Sequence, residues 1–283
     1  MTTRQKQGYL EGDYRIFHLQ TPLTREVPFH YHDFHKIILF LGGAIDYVIE
    51  GRRWTLRPHD LVLVAAGQMH RPIAHDAKTP YQRLVIYVSP RFLDRWSARE
   101  PSGDDLAACF AAAQKEGGVM HQTTARSHDL LFHMERTLRI AEGEGFANGL
   151  YTELAFVEFL ILVNRSMQRH ELDALQGQAA DPKIETMLTY IGEHLKDDLR
   201  VETLAQHVYL SPYHLMRKFK AETGMSLHRY VLTRRLLKAR ELLRADSSRS
   251  IGEIADACGF RDYSTFSRAF WRAFHMTPRA LRS

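Results

Sequence analysis

Arg217 and Arg268 occupy matching places in two stretches, SPYHLMRKFKAETGMS and DYSTFSRAFWRAFHMTP, that read as one helix written twice. A guanidinium donates to both acceptors of a guanine at once, so an arginine on an exposed helix face suits the reading of a base edge in a major groove. Tyr213, His214, Met216 and Lys220 surround the first arginine, and Tyr263, Ser264 and Thr265 the second. They add hydrogen-bond donors, a second cation and flat rings. Leu215 with Phe219, and Phe266 with Phe270, are spaced four apart and form the opposite stripe of each helix, facing a preceding element. One such helix could be the solvated face of a bundle; two with the same pattern favour a pair of base readers.

A different cluster lies near the other end. In PFHYHDFHKIILF an extended backbone puts His30, His32 and Lys36 on one face and turns His35 to the other, towards solvent. Imidazoles are ligands for zinc or nickel, but an ammonium aimed at the same point repels a cation. These residues therefore read as the polar lining of a pocket, and no cofactor is expected. Cys109 and Cys258 form no CxxC pair and read as buried, reduced packing residues.

The arginines are positioned by a repeat. LAQHVYL and IADACGF precede the two stretches, so that Leu204, Ala205, Val208 and Leu210 match Ile254, Ala255, Cys258 and Phe260 at an offset of 50. One extra residue enters the turn, after which Leu215, Arg217, Phe219 and Met225 match Phe266, Arg268, Phe270 and Met276 at an offset of 51. Ser211 and Pro212 predict a helix start and Gly224 its end, while Ser250 with Glu253 forms a capping box and Asp262 a further cap. Each copy is a short helix, a turn and a second helix, and a long helix over LHRYVLTRRLLKARELLRA joins the copies.

Before the repeat the chain changes character twice. Residues 9 to about 90 carry short β-branched runs, LVLV and RLVIYV among them, that predict a small barrel or sandwich. From about 102 to 171 apolar residues recur three and four apart, predicting helices. LYTELAFVEFLILVNRSMQRH is so apolar that it is either buried in its own domain or half of a dimer interface, which would make the protein a homodimer through residues such as Phe159 and Leu162. LDALQGQAADP then loses all periodicity. This divides the chain into a first domain at 1–171, a linker at 172–182 and a second domain at 183–283.

Charge follows the same division. From Asp181 onward 18 Lys and Arg face 12 Asp and Glu, whereas 20 face 21 before it, so the overall net charge of +5 belongs to the repeat. A basic domain is attracted to polyanions, nucleic acid first among them. No apolar run approaches the roughly 20 residues of a membrane span, and MTTRQKQGYLEGDYR lacks the apolar core of a signal peptide, so a cytoplasmic protein without a membrane partner is expected.

About the last hundred residues resemble the DNA-binding domain of the AraC/XylS family of transcription regulators, through LAQHVYLSPYHLMRKFKAETGMSLHRYV, RRLLKARELL and SIGEIADACGFRDYSTFSRAFWRAFHMTPRALR. The resemblance implies two helix-turn-helix units held on one connecting helix, reading successive major grooves of double-stranded DNA about 34 Å apart. It also implies RNA polymerase as a partner and activation near a promoter. His275 stands where the family usually has glycine, which would strain a left-handed cap. PFHYHDFHKIILF and LRPHDLVLVAAGQMHRP resemble the small cupin barrel that many members carry as an effector domain. Metal-binding cupins draw two His and a Glu from the first motif and another His from the second. Here His30, His32 and His70 are present, Lys36 replaces the Glu, and His59-Asp60 stands where Gly-Asp is usual. The resemblance makes His30, His32, Lys36 and His70 the effector site, with a divalent metal on His30, His32 and His70 as the alternative. A buried ammonium favours a small-molecule effector rich in acceptors, a sugar or an organic acid. The chain as a whole reads as a two-domain α+β protein: a cupin-like β-barrel with a helical dimerisation segment, then an all-α double helix-turn-helix. An enzyme is not expected, since the missing Glu and the attached repeat both argue against a cupin oxygenase.

Overall fold

A computed structural model of the protein describes residues 10, 12–76, 78–122, 127–179, 181–245, 248–274 and 276–282. His275, and with it the expected strain at that position, lies outside them. The chain forms two compact units, Met1–Ala179 and Ala180–Ser283.

The first unit opens with seven strands: β1 (Tyr14–Pro22), β2 (His35–Gly42), β3 (Ile45–Ile49), β4 (Arg52–Thr55), β5 (Leu61–Val64), β6 (His70–Ala74) and β7 (Pro80–Val88). Helices α1 (Pro90–Ser97) and α2 (Ala108–Glu116), strand β8 (Val119–Gln122), helices α3 (Ser127–Glu142) and α4 (Asn148–Gln168), and two short strands, β9 (Leu172–Ala174) and β10 (Gln178–Ala179), complete it. Six strands form one sheet in the order β1-β7-β2-β5-β8-β9, and four form a second in the order β10-β4-β3-β6. Alternation along β2 explains the layers. Ile38 and Phe40 meet Tyr47, Trp54 and Val85 between the two sheets, whereas Ile37 and Leu39 meet Phe110, Phe156 and Phe159 of the helices on the other side. The six-stranded sheet is thus covered on both faces, and LVLV of β5 has no polar side to show. At the β3–β4 hairpin Glu50 and Gly51 both take positive φ, 48° and 77°, as a tight two-residue turn demands.

Two expectations are corrected here. Residues 102–171 are not helical throughout, because Val119–Gln122 form β8 and pair with β5. Nor is 172–182 a free linker: β9 pairs with β8, β10 pairs with β4, and Trp54 Nε1 donates to the Leu175 carbonyl at 2.8 Å. A Cβ at Gly177 would lie 2.5 Å from the Trp54 ring, so this stretch is glycine-bearing because it is strapped to the barrel. Strands of three and two residues are too short to leave a periodicity in the sequence. The apolar helix α4 buries Phe156, Phe159, Leu160 and Val163 in its own domain, so Phe159 is core.

The second unit is helical: α5 (Pro182–Glu193), α6 (Val201–His207), α7 (Pro212–Thr223), α8 (Leu227–Ala245), α9 (Ile251–Ala257), α10 (Tyr263–Phe274) and α11 (Pro278–Arg282). The central helix α8 contributes Leu236, Ala239 and Leu243 to a core with Ile254, Ala255, Cys258, Phe266 and Phe270. Among the described residues no helix is long and apolar enough to cross a membrane.

Candidate nucleic-acid interface and effector site

Both copies of the repeat are built by the same local chemistry. Ser211 caps α7 through the His214 amide at 3.3 Å, Pro212 fixes the first helical φ, and Gly224 ends the helix at φ 70°. Ser250 and Glu253 close a capping box on α9, and Asp262 accepts from the Thr265 amide at 2.7 Å at the start of α10. The turns match bond for bond: Leu210 N–H donates to Ala205 at 2.9 Å and Phe260 N–H to Ala255 at 3.0 Å. Leu215, Phe219, Phe266 and Phe270 are fully buried beneath them.

That packing leaves one face of each second helix in solvent. Tyr213, His214, Met216, Arg217 and Lys220 are all exposed on α7, as are Tyr263, Ser264, Thr265 and Arg268 on α10. Lys218 is set apart from them by an ion pair with Asp181, whereas Arg217 and Lys220 have no such partner among the described residues. The sequence reading missed Trp271, which is 55% exposed and lies one turn beyond Arg268 on the face that Ser264 begins. Its spacing of seven from Ser264 was the available signal.

In the barrel, His30 and His70 face each other across an isolated antiparallel bridge. Neither His30 nor His32 is on a strand; β2 begins at His35 and the chain bends at Asp33 and Phe34. The bend replaces the shared strand face of the sequence reading, yet the grouping forms. Imidazole nitrogens of His30, His32 and His70 lie within 4.8 Å of one another, all three residues buried. His30 Nδ1 meets the Pro28 carbonyl and His70 Nδ1 the Gln68 carbonyl, each at 2.9 Å, which puts the proton on Nδ1 and the lone pair on Nε2. His70 Nε2 and the Tyr81 hydroxyl, both buried, have no hydrogen-bond partner among the described residues. Burial lowers the His30 imidazole to about 4, with the Lys36 charge adding to the fall, and holds His70 well below the usual range.

Lys36 does not reach solvent. It is buried on β2, donates to the Tyr47 hydroxyl at 3.3 Å and sits 5.8 Å from the Tyr87 ring centre. Burial, and then repulsion by Arg83, lower its ammonium to about 7. Arg83 is a cation the sequence reading passed over, although Tyr81, Arg83, Val85 and Tyr87 alternate along β7 and so share its inner face. The three imidazoles suit a nitrogen-preferring divalent ion, but no carboxylate pairs with Lys36 among the described residues, and the Lys36 charge acts on His30 and His70 where such an ion needs negative charge. His35, expected in solvent, is half-buried, accepts from the Ala66 amide at 3.3 Å and packs at a tilt against Phe110, ring centres 4.3 Å apart. Its face of β2 is covered by α2. His59 takes φ 75°, which accounts for the glycine usual at that place, and Asp60 beside it is fully buried against the Arg57 amide and His121.

Comparison with known proteins agrees with both halves. A family model described as the AraC-like ligand binding domain matches residues 16–160, and one described as a helix-turn-helix domain matches residues 204–283. The HTH-type transcriptional activator RhaS of Shigella sonnei is 28% identical over 259 residues, covering 91% of this chain and 88% of that protein. The RhaS protein of Escherichia coli (strain SE11) is 27% identical over the same share of both chains. Among solved structures, the C-terminal domain of AraT, a response regulator from Geobacillus stearothermophilus, is 33% identical and covers 36% of this chain and 84% of that one, with a TM-score of 0.35.

Proposed function

This chain belongs to the AraC family of transcription regulators, a DNA-binding protein with an N-terminal ligand-binding domain, and from that premise we propose that it activates promoters in response to a small polar effector. Two matching helices, each capped by a side-chain oxygen and each leaving an exposed arginine among donors and flat rings, carry this reading. Tyr213, His214, Met216, Arg217 and Lys220 of α7 enter one major groove, and Tyr263, Ser264, Thr265 and Arg268 of α10 the next. The activator role follows the similarity to RhaS and requires contact with RNA polymerase. Selection of bound fragments from genomic DNA by the full chain tests it: two protected major grooves about 34 Å apart on one DNA face are expected. Affinity should fall steeply with salt as phosphate counterions are released. Selected DNA with no common sequence, or binding indifferent to salt, would overturn it.

The effector site is His30, His32, Lys36 and His70, joined by Arg83. Lone pairs on neutral imidazoles accept from hydroxyl groups, while Lys36 and Arg83 donate to a carboxylate, so a hydroxylated organic acid satisfies the most groups. A sugar hydroxyl also accepts from Lys36 and Arg83, but brings no negative charge to them. Elemental analysis of protein purified without added metal separates this from a metal on the three histidines. Stoichiometric zinc or nickel that survives dialysis and disappears in His32→Ala would displace the effector reading.

A further inference from the structure

One difference between the two turns of the repeat has a cause outside the turns. At the offset of 50, Tyr209 of the first copy corresponds to Gly259 of the second, and both take positive φ, 53° and 81°. Tyr209 is 90% exposed, so this turn by itself tolerates a side chain. At Gly259 a Cβ would come within 2.4 Å of the Leu195 carbonyl and 2.9 Å of the Arg235 guanidinium. The glycine is required because something is packed against it.

That something joins three parts of the DNA-binding unit. Arg235, half-buried on the connecting helix α8, donates from Nε to the Leu195 carbonyl at 2.9 Å and from Nη2 to the Asp197 carbonyl at 2.8 Å. Leu195 and Asp197 lie in the loop between α5 and α6, immediately ahead of the first helix-turn-helix. Gly259 lies between the two helices of the second. One guanidinium therefore bonds the loop ahead of the first helix-turn-helix and packs against the turn of the second. The Lys196–Asp256 ion pair, 3.5 Å and well exposed, spans the same seam. The seam borders a cavity of about 620 Å³ walled by residues of both helix-turn-helix motifs.

We propose that Arg235 is a positioning residue that sets the separation of the two recognition helices, and with it the number of base pairs between the two sites they read. The helix α8 alone fixes the distance along its axis. Arg235 fixes the rotation of one helix-turn-helix about that axis, because its hydrogen bonds hold the Leu195 and Asp197 carbonyls while its guanidinium packs against the backbone of Gly259, where a Cβ would lie 2.9 Å away. Two binding units gain affinity from each other only when both reach their sites together, a gain of about 10² to 10⁴-fold that is lost when geometry forbids it. A tight seam confines that gain to one spacing.

The inference rests on the reading of two units on successive grooves, and the test separates the two. DNA selected by the wild-type full chain is remade with one base pair inserted or removed between the two protected grooves. Wild-type protein is expected to lose about a hundredfold in affinity on both altered sequences, and Arg235→Ala about tenfold or less, with one native-spacing groove contact still protected. Gly259→Ala, which forces the same seam apart without removing a charge, should behave alike, and Arg235→Lys should recover part of the discrimination. Tyr209→Ala, at the matching turn, should leave it intact. A folded Arg235→Ala or Gly259→Ala protein whose spacing penalty equals the wild type, or that binds all spacings uniformly more weakly, overturns the proposal. Should Arg235→Ala fail to fold, Gly259→Ala and Arg235→Lys decide alone. Wild-type protein that protects a single groove overturns the underlying reading as well.

Discussion

At Lys36, burial and charge oppose each other. An ammonium surrounded by Tyr47, Tyr87 and neutral imidazoles, with Arg83 nearby, has lost its hydration without gaining a counter-charge, which is why it falls to about 7. The unfolded chain keeps an ordinary lysine near 10.5, so between about pH 7 and 10.5 the unfolded state binds the extra proton. Stability from this group therefore rises with pH across that window. Lys36→Met should be more thermally stable than wild type at pH 6, with the advantage shrinking towards pH 10, and should lose effector-dependent DNA binding; a constant difference at all pH values would mean that Lys36 is solvated. His30 acts at lower pH. Lowered to about 4 from 6.5, it must take up a proton on unfolding, so the fold loses stability as pH falls through that interval. Much of this chemistry was legible in the residue types, since HYH, Lys36 and His70 stand out in the sequence. Arg83 was not, because a single arginine in a β-branched run reads as an edge or solvent-facing residue until its partner strands are known.

The recognition helices are the most readable elements because their instructions are local. Caps, a four-residue apolar spacing and a repeat fix α6, α7, α9 and α10 within the chain segments that form them. Ser250→Ala should cost about 1 kcal/mol through loss of its bond to the Glu253 amide, measured by thermal denaturation of the full chain. Arg217→Ala and Arg268→Ala should each weaken binding by about 1 to 3 kcal/mol and relax preference at one or two base pairs. Loss of affinity that is equal on every sequence would assign these arginines to phosphates. The strands β8, β9 and β10 escaped the sequence because their pairing partners are distant: Met120 meets Leu61, and Gln178 meets Arg53. Four residues or fewer carry no periodicity of their own, so only the long-range ladder defines them.

At the scale of the molecule we propose that the helical segment joins two chains. α4 was ambiguous in sequence because a helix buried in its own domain and one shared with a partner are equally apolar. The structure assigns most of that surface to the core: Phe156, Phe159, Leu160 and Val163 are each fully buried. What remains outside is a different set, Phe132 of α3 and Leu150, Tyr151 and Leu154 of α4, between 48% and 58% exposed, with Arg136 bonding Tyr151 between the two helices. Exposed large apolar residues gathered on one helix pair are the material of a protein interface. Dimerisation through this face would add affinity on paired DNA sites without any new DNA contact. Leu154→Glu and Phe159→Ala then have opposite signatures. Leu154→Glu should give a folded monomer by light scattering, with thermal stability near wild type at dilution and weaker binding only on DNA carrying two sites. Phe159→Ala should lower stability by about 3 to 5 kcal/mol, as a cavity in a core does, whatever the oligomeric state. A wild-type chain that is monomeric at every concentration, or a Leu154→Glu chain that remains dimeric, would place the contact elsewhere.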